Sequence, residues 1–278
     1  MIYYLKTFQL LKVNMDNLTF SKDLHVSAMV QIGKLNTNID LLNTANALSI
    51  NKNVLFVEYG DHVSKGDNGK KPSKKDKPRK YFYNQLTIHV YNETKANNRI
   101  NVKIFNNGSV QMTGINKDFQ GDKTINILCD EFNRLSEKEK SFDVEEDIRF
   151  VENLETVLIN SDFDMGFPID REVLHRSIVD SGYYSSYEPC NYPGVNIKYY
   201  RNPLRENFGI CDCGNPCNGK GKDSTCKRIT IAAFKSGKII ITGGRNKSDI
   251  SVAHKFITEF IQENKELIHL QENKGLFN

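Results

Sequence analysis

Four thiols crowd into "CDCGNPCNGKGKDSTC": Cys211, Cys213, Cys217 and Cys226. Cysteines at this density suit a structural zinc ion, which takes four thiolates at about 2.3 Å in tetrahedral geometry. The stretch is rich in Gly, Asn and Pro and has no core of its own, so a bound metal would contribute folding energy directly. The spacing is not that of a standard zinc finger, and it leaves zinc, free thiols and disulfides all open. Outside this stretch the residue types for catalysis are not assembled. There is no P-loop and no paired-carboxylate motif, and the six histidines are scattered. His175 and His254 fall in helical patterns, where a structural role is expected. The expectation is a protein that is not an enzyme.

The second chemistry is carried by rings. "FNNGSVQMTG" (105–114) and "FKSGKIIITG" (234–243) share an aromatic, two residues, Gly, four residues and Thr-Gly. Each follows a β-type run, "INVKI" and "ITIAA", and reads as a hairpin mouth, turn and return strand. A second matching pair precedes them, "YNQLTIHV" from Tyr83 and "YPGVNIKY" from Tyr192. The chain is therefore duplicated. Tyr83 to Phe105 spans 22 positions and Tyr192 to Phe234 spans 42, so 20 extra residues, including the four cysteines, are inserted in the second half.

Each half reads strand, hairpin, strand, then helix. The helical stripes are Ile125, Leu128, Phe132 and Leu135 in the first half and Ala253, Phe256, Ile257, Phe260 and Ile261 in the second, with Ser248 or Asp249 as the expected cap. Antiparallel strands followed by helices predict an α+β layer structure with helices on one sheet face and the other face bare. The period of two puts Gln85, Thr87 and His89 on the bare face, with Gln111, Thr113, Ile240 and Thr242 on the bare faces of the return strands. At 278 residues and 38% hydrophobic composition the chain can bury a sizeable core. No stretch approaches the length of a membrane span, and no secretory leader is evident, so an intracellular protein is expected. A net charge of +4 is mild. Its one dense run is "KGDNGKKPSKKDKPRK" (65–80), with Lys65, Lys70, Lys71, Lys74, Lys75, Lys77, Arg79 and Lys80, which reads as a solvated loop or a phosphate-contacting arm.

"YSSYEPCNYPGVNIKYY" and the two "F..G....TG" strings resemble the repeats of the TATA-box-binding protein family, as do "FPIDREVL" (167–174) and "QIGKLNTNIDL" (31–41). The resemblance implies a pseudo-twofold saddle, a curved antiparallel sheet with helices on its convex back and DNA minor groove on its concave face. It implies four wedge rings at Tyr83, Phe105, Tyr192 and Phe234, with Phe82 a register alternative to Tyr83. It also implies groove-facing Thr113 and Thr242, a basic position at His89 and Lys198, and central positions at His25 and at Leu158 or Asn160. Gln111 and Ile240 complete the expected DNA-facing set. Lys103, Gln111 and Gln85 make the first half more polar than the family's apolar groove face.

The implied organisation is an N-terminal extension (1–21), a first repeat (22–145) with a Lys-rich insertion at 60–80, and a second repeat (146–278) with a Cys-rich insertion at 203–227. The implied function is bending of AT-rich, TATA-like promoter DNA by a monomer that recruits a TFIIB-like factor and RNA polymerase. The alternative is a module of the same fold that has lost TATA specificity. The Asn- and Lys-rich style and the insertions look like a giant-DNA-virus version, acting in a host nucleus or a cytoplasmic viral factory, or packaged in the virion.

Overall fold

The computed structural model describes residues 24–69, 80–93, 99–139, 142, 147–151, 153–202, 204, 207–214, 217–221 and 225–270. The extension 1–21 and Lys70, Lys71, Lys74, Lys75, Lys77 and Arg79 lie outside the described residues. The chain divides into two compact units, Val26–Ser161 and Asp162–Asn278, with His25 counted in the latter.

The first unit contains β1 (His25–Lys34), α1 (Leu41–Ala47), β2 (Val54–Tyr59), β3 (Val63–Gly66), β4 (Leu86–Tyr91), β5 (Arg99–Ile104), β6 (Ser109–Ile115) and α2 (Phe119–Glu139). It also takes most of β7 (Glu155–Asp164), where the division falls. Its strand order is β3-β2-β4-β5-β6-β1-β7. Alternation builds the core: Leu86, Ile88, Ile100, Val102, Ile104 and Met112 are fully buried, as are Leu128 and Phe132 of α2 above them. Each such side chain stabilises by about 1.5–3 kcal/mol. The hairpin β2–β3 adds an edge ribbon whose second strand, β3, falls inside the stretch 60–80 expected as an insertion. Lys65 lies on it and donates to Ala45 O at 3.1 Å, Asn46 O at 2.6 Å and Leu48 O at 3.2 Å. It thus satisfies carbonyls at the C-terminal end of α1 and favours the helix dipole. Lys65 is a structural cation rather than part of a free basic arm.

Glu131 is buried on α2 and ties that helix to the start of β2. Its carboxylate accepts from Asn51 Nδ2 at 3.0 Å, Asn53 Nδ2 at 2.6 Å and Arg134 at 2.8 Å. Burial pushes its pKa up, but the three donors outweigh that and hold it below the ordinary value.

The second unit contains α3 (Arg171–Asp180), β8 (Tyr184–Ser186), β9 (Val195–Arg201), β10 (Lys227–Ala233), β11 (Lys238–Gly244), α4 (Lys247–Glu263) and α5 (Lys265–Ile268). Its strand order is β11-β10-β9-β8, and the end of β7 lies beside β11. Ile197, Ile229, Ile231, Ile239 and Ile241 are fully buried against Ile250, Ala253, Ile257 and Ile261 of α4. Phe256 fills the space between Tyr183 and Tyr199, ring centroids 4.6 and 5.0 Å away. His254 stacks edge-on against Phe163, and His175 Nδ1 pairs with Ser185 Oγ at 2.9 Å, so both histidines have structural partners. The cap of α4 is Asn246, which accepts from Asp249 N at 2.8 Å, rather than Ser248 or Asp249. Asp249 sits at the third helical position and reaches back past the cap to accept from Arg245 N at 3.0 Å, which ties the residue before the cap to the first turn.

The two units repeat the same hairpin. Phe105 N donates to Ser109 O at 3.0 Å and Phe234 N to Lys238 O at 2.9 Å. Leu35 N donates to Gly108 O and Ile39 N to Asn106 O, as Met165 N does to Gly237 O and Ile169 N to Lys235 O. Asp40 and Asp170 cap α1 and α3 in turn. Gly108 (φ 78°) and Gly237 (φ 94°) hold the left-handed turns, and a Cβ on either would strike a backbone carbonyl, that of Thr37 or of Phe167.

Gly237→Ala is expected to lose about 2–3 kcal/mol in urea unfolding, because φ strain and the carbonyl clash add. Gly166→Ala, with φ 76° but open space around the new methyl, should lose only about 1 kcal/mol. Equal losses would remove the clash from the account. Glu131→Gln should cost about 1–2 kcal/mol at pH 7 through its charged hydrogen bonds. The folded pKa is depressed, so this contribution is present above the unfolded value and disappears as pH falls through the folded one. Wild type and variant are therefore expected to converge in stability as the pH falls through and below the ordinary carboxylate range.

Candidate nucleic-acid interface

The strand registers set out the face opposite the helices, row by row. In the first unit His89 pairs with Asn101, Asn101 with Thr113 and Thr113 with Val30. The next row is Thr87, Lys103, Gln111 and Ile32. In the second unit the matching rows are Lys198, Thr230 and Thr242, then Asn196, Ala232 and Ile240. His89 thus corresponds to Lys198, Gln111 to Ile240 and Thr113 to Thr242. Most of these side chains are half-buried, with their alternate neighbours sealed in the core. Thr87, expected on this face, lies on it, and Asn101, Asn196 and Thr230 belong to the same surface and were missed by the sequence reading. Counting back by two from Phe105 and Phe234 finds Asn101 and Thr230.

Two of the basic positions are engaged within their rows. His89 Nε2 lies 3.0 Å from Asn101 Nδ2, and its ring packs 5.0 Å from that of Phe56. Lys198 Nζ donates to Thr230 Oγ1 at 3.0 Å. Burial, aided by nearby Arg228, lowers the Lys198 pKa.

The four rings sit at strand ends outside the helix-covered cores. Tyr192 and Phe234 form an edge-to-face pair with centroids 5.9 Å apart. Tyr192 is 42% exposed and Tyr83 50%, while Phe105 and Phe234 are half-buried at their hairpin mouths. Tyr83 packs on the turn between β2 and β3, with His62 5.7 Å away. A hydrogen bond with the Asp61 carboxylate raises its phenol pKa. Phe82, 51% exposed, lines a shallow cleft with Gln85, Thr87, Glu58 and Lys80, on the same side as the polar rows.

The capping residues Asp40 and Asp170 bring Leu158 into correspondence with Ala28, and Asn160 with Val30, leaving His25 three residues outside. Gly33 lies inside β1 beneath the ring of Phe150, whereas Gly166 is a turn residue with φ 76°. His25 Nδ1 instead lies 3.2 Å from Asp162 Oδ1, and Lys238 Nζ lies 3.3 Å from Asp162 Oδ2. Asn160 offers its backbone carbonyl to Ser27 Oγ at 3.2 Å.

The cysteine loop connects β9 to β10. All six cysteines are free thiols. The Sγ atoms of Cys211, Cys213, Cys217 and Cys226 lie within 4.8 Å of one another, and those of Cys213 and Cys226 are 3.6 Å apart. A tetrahedral zinc with bonds of about 2.3 Å separates its sulfurs by about 3.8 Å, so the set fits with slight contraction. Asn207 Nδ2 donates to Cys226 Sγ at 3.3 Å and Gly219 N to Cys217 Sγ at 3.4 Å, bonds that orient sulfurs as metal ligands need. Bridges from Gly209 to Tyr200 and from Lys220 to Lys227 lay the loop's ends alongside β9 and β10.

The comparisons with known proteins agree with this geometry. Residues 155–264 match the family model described as "Transcription factor TFIID (or TATA-binding protein, TBP)". A "TATA-box-binding protein-like" protein of Acanthamoeba polyphaga mimivirus is 26% identical over 279 residues, covering 90% of this chain and 69% of the viral protein. The solved structure of Methanococcus jannaschii TBP superimposes with a TM-score of 0.51 at 18% identity, over 87% of this chain and 99% of the archaeal one. The family is one of transcription factors, not of enzymes. Residues 155–264 thus match the model of the TATA-binding-protein family, and the chain as a whole carries that fold in a divergent form.

Proposed function

We propose that the chain binds the minor groove of AT-rich promoter DNA through the helix-free faces of its two units, bends the duplex, and nucleates transcription initiation. The observation that carries this reading is the repeated row pattern: in both units threonines and a basic or imidazole group share one face, with an aromatic at each hairpin mouth. The minor groove distinguishes mainly A·T from G·C, so a face of hydroxyl, apolar and aromatic side chains suits it. Insertion of apolar side chains at kinked steps is the known behaviour of the family. In this chain Phe105, Phe234 and Tyr192 are the rings available for it, with Tyr83 or Phe82 completing the set. A flat ring offsets part of the lost stacking.

Recruitment of a TFIIB-like factor and a polymerase follows from the same reading, as does action in a nucleus or viral factory. The viral relative supports an origin in a giant DNA virus. Zinc in the cysteine loop would be structural: Cys211, Cys213, Cys217 and Cys226 would hold it, and its role would be to order the β9–β10 connection. A second reading, a module of this fold that binds protein instead of promoter DNA, is favoured by Lys103, Gln111 and the His89–Asn101 pair on the first unit's face.

In gel shifts, wild type is expected to prefer AT-rich over GC-rich duplexes by at least about tenfold and to slow the migration of a centrally placed site through bending. Phe105→Ala and Phe234→Ala should each lose both properties. Uniform weak binding unaffected by either substitution would favour the protein-binding module. Protein purified without chelator should carry about one zinc per chain by mass-spectrometric metal analysis. Less than half a zinc, unchanged when all four cysteines are serine, would leave the cluster as free thiols.

A further inference from the structure

The two helix-free faces are built on one register but not from one chemistry. On the outer strands the units match in kind: Thr87 and His89 on β4 stand where Asn196 and Lys198 stand on β9. The inner strands differ. Asn101, Lys103 and Gln111 of the first unit occupy the positions of Thr230, Ala232 and Ile240 in the second. Lys103 and Gln111 are directly paired across β5 and β6, as Ala232 and Ile240 are across β10 and β11. An amide and an ammonium therefore stand side by side in one unit where a methyl and a sec-butyl group stand in the other.

This difference falls on the one feature by which the minor groove separates base pairs. Every pair presents acceptors there, adenine N3 or thymine O2 and their counterparts, and only G·C adds a donor, the guanine N2 amino group. Ala232 and Ile240 have nothing to accept from that donor, so contact would strip its water and leave it unpaired. Gln111 and Asn101 each carry a carbonyl oxygen that accepts and an NH2 that donates. Lys103 offers three donors to the acceptors common to all pairs, and its charge is favoured in the groove's negative potential.

We propose that the unit Val26–Ser161 tolerates G·C pairs in the stretch of groove it covers, whereas the unit Asp162–Asn278 requires A·T pairs, with Lys103 and Gln111 against Ala232 and Ile240 as the specificity-determining residues. This rests on the minor-groove reading above. It makes the preferred site an A·T tract in one half with mixed composition in the other, and it gives the bound chain a preferred direction.

The test uses four labelled duplexes with one core: all A·T, G·C in the left half, G·C in the right half, and G·C throughout. Because the protein can turn round, a single substituted half should cost wild type less than about threefold, the tolerant unit moving over it. Substituting both halves should cost more than about thirtyfold. Exchange of the first unit's residues for those of the second, Asn101→Thr with Lys103→Ala and Gln111→Ile, should raise the single-half penalty to about tenfold, or about 1.4 kcal/mol. The reciprocal Ala232→Lys with Ile240→Gln should lower the penalty for the fully substituted duplex to below about tenfold, and thermal melting checks that both variants fold. A wild-type penalty that grows in two equal steps as one half and then both are substituted overturns the proposal while leaving minor-groove binding intact. Equal affinity for all four duplexes overturns minor-groove reading itself, and the asymmetry with it.

Discussion

Strand alternation under a one-sided helical layer is the constraint on which the candidate surface depends. Sealing Ile197 and Tyr199 beneath α4 forces Asn196 and Lys198 to the other face, because successive side chains in a strand point in opposite directions. A slip of one residue would drive Lys198 into the core and expose two large apolar groups, so the buried set locks the register. The same holds for Ile88, Val102 and Met112 against Thr87, Lys103 and Gln111. What the outer face presents is thus decided largely by what the inner face must hide.

The hairpins supply the second fixed point. Their left-handed glycines are pressed against backbone carbonyls from the segment that leads into α1 or α3, so hairpin mouth, strand end and helix cap form one hydrogen-bonded corner in each unit. Phe105 and Phe234 are held at these corners by backbone bonds that do not depend on their rings. Ring chemistry is therefore free to serve contact rather than stability. The insertions respect this frame: the β2–β3 ribbon pairs outside β4, and the cysteine loop leaves from strand ends remote from Phe234.

Much of this was readable from particular residues. The recurring aromatic, Gly and Thr-Gly spacing located both hairpins, and period two assigned Thr113, Thr242, Gln111 and Ile240 to one face. The spacing of four cysteines drew attention to a cluster whose sulfurs do converge. Three things were hidden. Lys65 reads as one more cation in a basic run until the end of α1 is seen to need it. His25 and Leu158 read as matching central positions, yet the caps Asp40 and Asp170 set Leu158 against Ala28. The strand β2, "VLFVEY", lacks clean alternation because Phe56 and Val57 are both buried, one beside His89 and one in the core.

By itself the sequence determined what is local and periodic: the duplication, the hairpin turns that only glycine relieves, the apolar stripes of α2 and α4, and the grouping of thiols in a loop with no core. Those follow from residue type and spacing along a single stretch. Tertiary structure alone decided which strand stands beside which. Cross-strand pairing sets Lys103 against Gln111 and Ala232 against Ile240, and tertiary packing joins Glu131 of α2 to Asn51 and Asn53 and turns Asp162 toward His25 and Lys238. Such pairs join residues far apart in the chain, and their partnership depends on register and burial, which no single stretch encodes.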